Sequence, residues 1–301
     1  MTLTEARKQF LKHCRSAISL SHHTLKAYCS DLDDTQQYFG LRKKLDSVEK
    51  DHLRQYIRHL REQRLFKETT IKRRLASLKL LFKWAMQEEL LKTNPFDSLN
   101  ERIRLPKRLP RALDRGDQAT LRKAIALHAR TDDFDVVRGK TAIHLLLDTG
   151  IRVGELVTIN LGDVSLTNGC LVINGKGNRQ RLVYLLQKPL YRKIEQYLTW
   201  RNSVPTGTDK LFITSSGKAI LTPNVRIALR DIAKEAGITK HVTPHMLRHT
   251  CATQWLEDGL DIRYVQKLLG HQSISTTEIY THVSDQGLRE ALSRAAGGKK
   301  R

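Results

Sequence analysis

The 301-residue sequence has only four cysteines, Cys14, Cys29, Cys170 and Cys251, and no two of them stand in a C-x-x-C spacing. That excludes a cysteine-rich zinc site and a disulfide framework, and the thiols read as buried or idle groups in a reducing cytosol. No apolar run approaches the roughly 18 residues of a membrane span, and the opening stretch from Met1 to Cys14 lacks the apolar segment of a secretory signal. The expectation is a cytoplasmic protein with no membrane contact. Seven prolines and 17 glycines do not describe a disordered chain. A GxxxxGK[ST] phosphate loop is missing, as is a dense Asp/Glu cluster for two-metal catalysis. Any chemistry is therefore expected to run with no cofactor and no metal.

What the sequence holds in excess is positive charge. Lys and Arg number 53 against 31 Asp and Glu, a formal net charge of +22. The surplus is evenly spread: residues 1–110 hold 24 basic and 13 acidic side chains and the remainder 29 and 18, eleven in excess in each part. A protein this basic is drawn to a polyanion, with nucleic acid first among them, and an even spread implies that both parts touch it. Function at the nucleoid follows from that reading.

Apolar spacing at a helical period predicts helices over Leu3–Ile18, Ser21–Phe39, Asp46–Gln63 and Lys67–Glu89, with no strand pattern among them. Residues 1–99 therefore read as a small all-helical domain. Residues 100–115 hold two prolines and six Lys or Arg. They read either as a solvated interdomain linker or as a basic strap on a phosphate backbone through Arg102, Arg104, Lys107, Arg108 and Arg111. Residues 116–301 mix helix and strand. Helices are expected at 116–129, 139–148, 188–201, 222–236, 245–257, 261–269, 275–280 and 287–296. Strands are expected at Cys170–Asn174 and Arg181–Leu186 around a Gly175-Lys176-Gly177-Asn178 turn, with a further one at Leu211–Thr214. The fold class is thus mainly α with a small β-sheet in the second domain.

Taken singly, the polar residues of that domain have ordinary explanations. Arg152 and Glu155, three apart, suit a helix-face ion pair. Lys176 suits an exposed hairpin tip. Thr243-Pro244-His245 is a helix start, and His271 follows a helix end. Together they match what a phosphodiester reaction requires without metal. Arginine forks bind non-bridging oxygens and neutralise charge growing at phosphorus. Histidine or lysine moves protons, and a tyrosine can attack and hold the bond as a phosphotyrosine.

The run Thr243-Pro-His245-Met-Leu-Arg248-His249-Thr250, with Leu268-Leu-Gly270-His271 and Thr276-Thr277-Glu-Ile-Tyr280 after it, resembles the C-terminal signature of the tyrosine recombinase (phage integrase) family, in its Xer-like, short resolvase-integrase branch. The family's order of Arg, Lys, His-x-x-Arg, His and Tyr is filled by Arg152, Lys176, His245, Arg248, His271 and Tyr280. Glu155 falls on a supporting acidic position. His249 and His282 beside the signature read as packing groups, and Arg179 and Arg181 as phosphate contacts.

The resemblance implies a helical core-binding domain over 1–99 and a catalytic domain over 116–301, closed as a C-shaped clamp on duplex DNA. It also implies a C-terminal helix near 288–296 that docks on a neighbour. With no segment expected ahead of the first helix, the chain does not match the longer integrases that carry a separate arm-binding domain. The implied activity is site-specific recombination through a 3′-phosphotyrosine and a Holliday junction. It would serve dimer or cointegrate resolution, or integration of a mobile element. The implied partners are double-stranded DNA with a short inverted-repeat core site and a homotetramer, or a heterotetramer with a second recombinase, on two sites. Accessory DNA-binding proteins can join them. Two other functions use related folds: a type IB-like topoisomerase and a non-catalytic DNA-binding regulator.

Overall fold

The computed structural model describes residues 1–16, 20, 22–99, 103, 112–126, 133–175 and 179–270. By internal contacts the chain divides into two units, Met1–Lys107 and Arg108–Arg301.

The first unit contains α1 (Leu3–Ser16), α2 (His22–Phe39), α3 (Lys50–Arg58) and α4 (Glu68–Gln87). Each buries one stripe of a 3.6-residue period. The stripes include Phe10, Leu11 and Cys14 on α1, Leu53, Tyr56 and Ile57 on α3, and Ile71, Leu78, Leu81, Phe82 and Ala85 on α4. The helix expected from Asp46 begins later, at Lys50. Leu45 and Val48 are buried in a turn before it, and the Glu49 N–H donates to His52 Nδ1 (3.2 Å) to cap the start. Its last turn, His59–Gln63, widens to a π-helix. A second, polar layer ties α2 to α4. Asp31 is fully buried and accepts from Arg73 Nη1 (2.5 Å) and Ser77 Oγ (2.9 Å). Asp34 pairs with Arg74 (2.5 Å) and Arg64 (3.2 Å), and the Arg74 guanidinium lies 4.5 Å from the Phe66 ring centroid. Buried carboxylates survive here because each is paired and hydrogen-bonded.

In the second unit α5 (Arg115–Ala126) is followed by α6 (Phe134–Thr149), which starts five residues before the expected position. Asp133 caps it by accepting from the Asp135 and Val136 amides (2.8 and 3.3 Å). α6 is buried along most of its length and packs on α5, α8 (Lys188–Asn202), α9 (Thr222–Glu235) and α10 (Pro244–Glu257). Its first turn, 134–137, is half-exposed or exposed and the all-round burial begins at Arg138, so no apolar stripe marks the start. A short helix α7 (Val153–Leu156) follows, then an antiparallel sheet in the order β1 (Val164–Ser165), β2 (Cys170–Asn174), β3 (Gln180–Tyr184). Leu171, Ile173, Val183 and Leu185 point into the core.

The expected strand at Leu211–Thr214 does not form; only an isolated bridge joins Ile213 to Ala219. Leu211, Phe212 and Ile213 are all buried, so nothing alternates. Side chains meet their backbone groups instead: Tyr197 OH donates to Leu211 O and accepts from Ile213 N (both 3.1 Å), and Arg201 Nε donates to Leu211 O (3.1 Å). α10 starts at Pro244 with Thr243 as cap, and α11 (Ile262–Leu269) closes the described chain at Gly270. The helices expected at 275–280 and 287–296 lie outside the described residues.

Gly150 ends α6 with φ +60°, and a Cβ there would stand 2.9 Å from Leu269 Cδ2 and 3.3 Å from Cys251 Sγ. Both the left-handed backbone and the close approach of α10 and α11 require glycine. Gly150→Ala should destabilise the protein by about 1–3 kcal/mol, the scale of a strained left-handed residue and an overpacked contact. Chemical denaturation followed by circular dichroism reads this, and an unchanged midpoint would contradict it.

Candidate active site

The end of α11 is the focus of the second unit. Its last carbonyls have no partner within the helix, and the dipole makes that end negative. Three arginines from three different elements meet three consecutive carbonyls. Arg181 Nε, on β3, donates to Leu268 O (2.8 Å), Arg248 Nη2, on α10, to Leu269 O (2.8 Å), and Arg152 Nη2, ahead of α7, to Gly270 O (3.5 Å). Arg248 is 3% exposed and also donates through Nη1 to Gly150 O (2.7 Å), the carbonyl at the end of α6. One side chain thereby joins the ends of two helices.

Glu155 organises the positive groups. It is the third residue of α7 and accepts from the Arg152 backbone N–H through Oε2 (2.8 Å), which caps that helix. Oε1 accepts from Arg152 Nη1 (2.9 Å) and Arg181 Nη1 (3.1 Å), and Oε2 also accepts from Arg181 Nη2 (2.7 Å). Burial alone would raise the Glu155 carboxyl. The hydrogen bonds from Arg181 and from the Arg152 amide, with the Arg181 charge, hold it below the ordinary carboxylate range. Arg152 remains 47% exposed, so its guanidinium is positioned on one side and open on the other.

His245, in the first turn of α10, meets the half-buried His249 in a T-shaped contact, ring centroids 4.3 Å apart. Burial first, then the charges of Arg248 and Arg152, lower its pKa, which keeps the imidazole neutral near pH 7. His249 is pushed down to about 4 by burial, then by His245 and Arg248.

Of the residues singled out by sequence, the structure thus brings Arg152, Glu155, Arg248 and Arg181 into one hydrogen-bonded set, with His245 beside it. Arg181 departs from expectation. Its side chain is 13% exposed and its fork is turned into the unit, engaged by Glu155 and Leu268. Strand alternation carries the signal: Arg181 shares the inward face with Val183 and Leu185, whereas Gln180, Leu182 and Tyr184 are exposed. Arg179 is exposed at the base of the hairpin, where its carbonyl accepts from Gly175 N (2.8 Å). Lys176, His271, Tyr280 and the linker residues Arg102, Arg104, Lys107, Arg108 and Arg111 lie outside the described residues. Sequence reasoning also missed a set on α5 and α6, where the Asp148 carboxylate, 4% exposed, pairs with the exposed Arg122 (2.5 Å) and the buried His144 (3.1 Å). Among the described residues no group of three or more His, Cys, Asp or Glu is placed to hold a metal, and no helix is long and apolar enough to cross a membrane.

The histidine pair predicts a pH response. The folded pKa of His249 lies below its ordinary 6.5, so the unfolded chain binds the extra proton first and stability falls as pH drops from 6.5 through about 4. Unfolding followed across that range should show His249→Phe with a flatter decline than the unmodified protein. Parallel curves would contradict the assignment.

Known proteins resemble the chain along most of its length. A model described as the phage integrase family matches residues 120–287, and one described as the phage integrase N-terminal SAM-like domain matches residues 8–89. The tyrosine recombinase XerC of Thermodesulfovibrio yellowstonii is 34% identical over 295 residues, covering 95% of this chain and 94% of its own. The tyrosine recombinase XerD of Halalkalibacterium halodurans is 33% identical over 297 residues, covering 96% of each. Among solved structures, the XerH site-specific recombinase in a pre-cleavage complex with its difH substrate is 25% identical with a TM-score of 0.72, covering 95% of this chain and 83% of that one. The chain belongs to the phage integrase family and is a site-specific tyrosine recombinase.

Proposed function

We propose that this recombinase cuts and rejoins duplex DNA with Arg152, Lys176, His245, Arg248, His271 and Tyr280 as its catalytic set. The observation that carries the reading is that Arg152 and Arg248 meet at the ends of α6 and α11, immediately before His271, with the charges of both reaching His245. The open side of the Arg152 fork, the charge of the buried Arg248 and a neutral imidazole form a site for a phosphodiester whose charge grows as a fifth oxygen approaches phosphorus.

The Tyr280 phenolic oxygen attacks the phosphorus and the bond to the 5′-oxygen breaks. His245 or His271 takes the phenolic proton, and Lys176 supplies one to the departing oxygen, leaving a 3′-phosphotyrosine and a 5′-hydroxyl. The ester keeps the bond energy, so the 5′-hydroxyl of a partner duplex reverses the step without ATP. Two rounds pass through a Holliday junction. Attack by a partner strand, not relaxation of a single duplex, is the reading supported by relatives named as site-specific recombinases.

In this reading residues 1–99 are the core-binding domain and residues 116–301 the catalytic domain. Both close on the duplex, which follows from the equal charge surplus of the two parts. The linker arginines and lysine at 102–111, with Arg179, lie along the phosphates. Four protomers, of this chain alone or with a second recombinase, assemble on two sites through the C-terminal segment.

The test is capture of the covalent intermediate. Duplexes enriched from a randomised pool by binding to the unmodified protein, nicked so that the cut end is lost, should yield a DNA–protein adduct that survives denaturation. Tyr280→Phe should bind the same duplex with near-unchanged affinity and give no adduct. An adduct formed by that variant would overturn the assignment of the nucleophile.

A further inference from the structure

Arg181 stands apart from the six-residue set, yet it touches several parts of the site's framework. Its strand leaves the hairpin that holds Lys176. Asn174 pairs with Gln180 and Ile173 with Arg181 itself, so its position fixes the hairpin's base. Its fork clamps Glu155 at 2.7 and 3.1 Å, and that carboxylate holds both the amide and the guanidinium of Arg152. Its Nε holds Leu268 O, one residue before the carbonyl that receives Arg248. Its side chain also lies close against Gly270: a Cβ at that glycine would stand 3.1 Å from Nη1 and 3.3 Å from Cζ, and the backbone there has φ +68°. The residue from which the chain runs on to His271 is therefore shaped to admit this side chain.

We infer that Arg181 is a positioning residue for the transesterification, locking the last pairs of β2 and β3, the Glu155–Arg152 pair and the end of α11 into one register. The inference rests on the proposed function above. Glu155 is shared by two guanidiniums. With Arg181 in place the carboxylate is divided between them, and Arg152 keeps its outward donors for a phosphate oxygen. Without Arg181 the carboxylate would be free to take the Arg152 fork entirely, and the Arg152 charge would be withdrawn from the phosphate. Lysine cannot replace it, because one ammonium cannot bridge a carboxylate and a carbonyl in a plane.

The test uses the full-length protein and the nicked duplex enriched by binding, in two forms. One is unmodified. The other carries a methylphosphonate at the scissile position, which removes one non-bridging charge and so lessens the demand for arginine. On unmodified DNA, Arg181→Lys should form adduct about 10²-fold more slowly, the cost of displacing a preorganised donor, while the DNA affinity changes by less than about threefold, because the positive charge is kept on a side chain only 13% exposed. On methylphosphonate DNA the deficit should shrink, in step with that of Arg152→Ala.

An equal deficit on both DNAs would mean that Arg181 acts on the fold at large, and an equal loss of affinity and rate would make it a phosphate anchor. Either result overturns the inference, as does an unimpaired Arg181→Lys. Arg181→Gln, with its melting temperature recorded, serves as the second variant. If the unmodified protein itself forms no adduct, the proposed function fails, which is a separate result.

Discussion

The second unit depends on one electrostatic demand: the C-terminal carbonyls of α11 need donors, and arginines from β3, α10 and the start of α7 supply them in consecutive order. A helix end left unpaired at this degree of burial would lose several hydrogen bonds, each worth about 1.5–3 kcal/mol when the donor is charged. The same requirement brings three positive side chains together, which Coulomb repulsion opposes. Glu155 offsets the cost for two of them and is itself held ionised by them. Stability and reactivity thus share a cause. The arrangement that satisfies the helix end also leaves a half-exposed guanidinium directed outward.

The two glycines follow from this demand. Gly150 brings the end of α6 against Cys251 and Leu269, so that Arg248 can reach both helix ends. Gly270 turns the chain away from α11 and leaves room for the Arg181 side chain. A side chain at either would separate elements that the arginines must bridge. The neutral histidine pair fits the same logic: neighbouring arginines disfavour a further positive charge, so His245 is kept able to accept a proton.

Much of this was legible in the sequence because its signals are local. Helical stripes located α1, α2 and α4, a capping threonine before Pro244 marked α10, and a Gly-x-Gly turn between apolar runs located β2 and β3. The order of Arg152, His245, Arg248 and the residues beyond 270 identified the family before any contact was known. What escaped reading depends on tertiary burial. The start of α6 was obscured because its first turn lies half-exposed ahead of the buried stretch, and Leu211–Phe212–Ile213 resembles a strand although side chains satisfy its backbone. Arg181 resembled a phosphate contact because charge in a hairpin is usually solvated; only the alternation of β3 places it inward, toward a carboxylate 26 residues earlier in the chain.

The account holds that Glu155 orients catalytic arginines without itself touching DNA. Replacing it by glutamine keeps the shape and removes the charge, so the two properties separate. The rate of adduct formation and the affinity for the same duplex, measured side by side on Glu155→Gln, decide the matter. The account predicts a rate lower by about 10²-fold, as when a preorganised donor is lost, with affinity held or slightly raised because a negative charge has gone. An unchanged rate, or an affinity that falls as steeply as the rate, would contradict it.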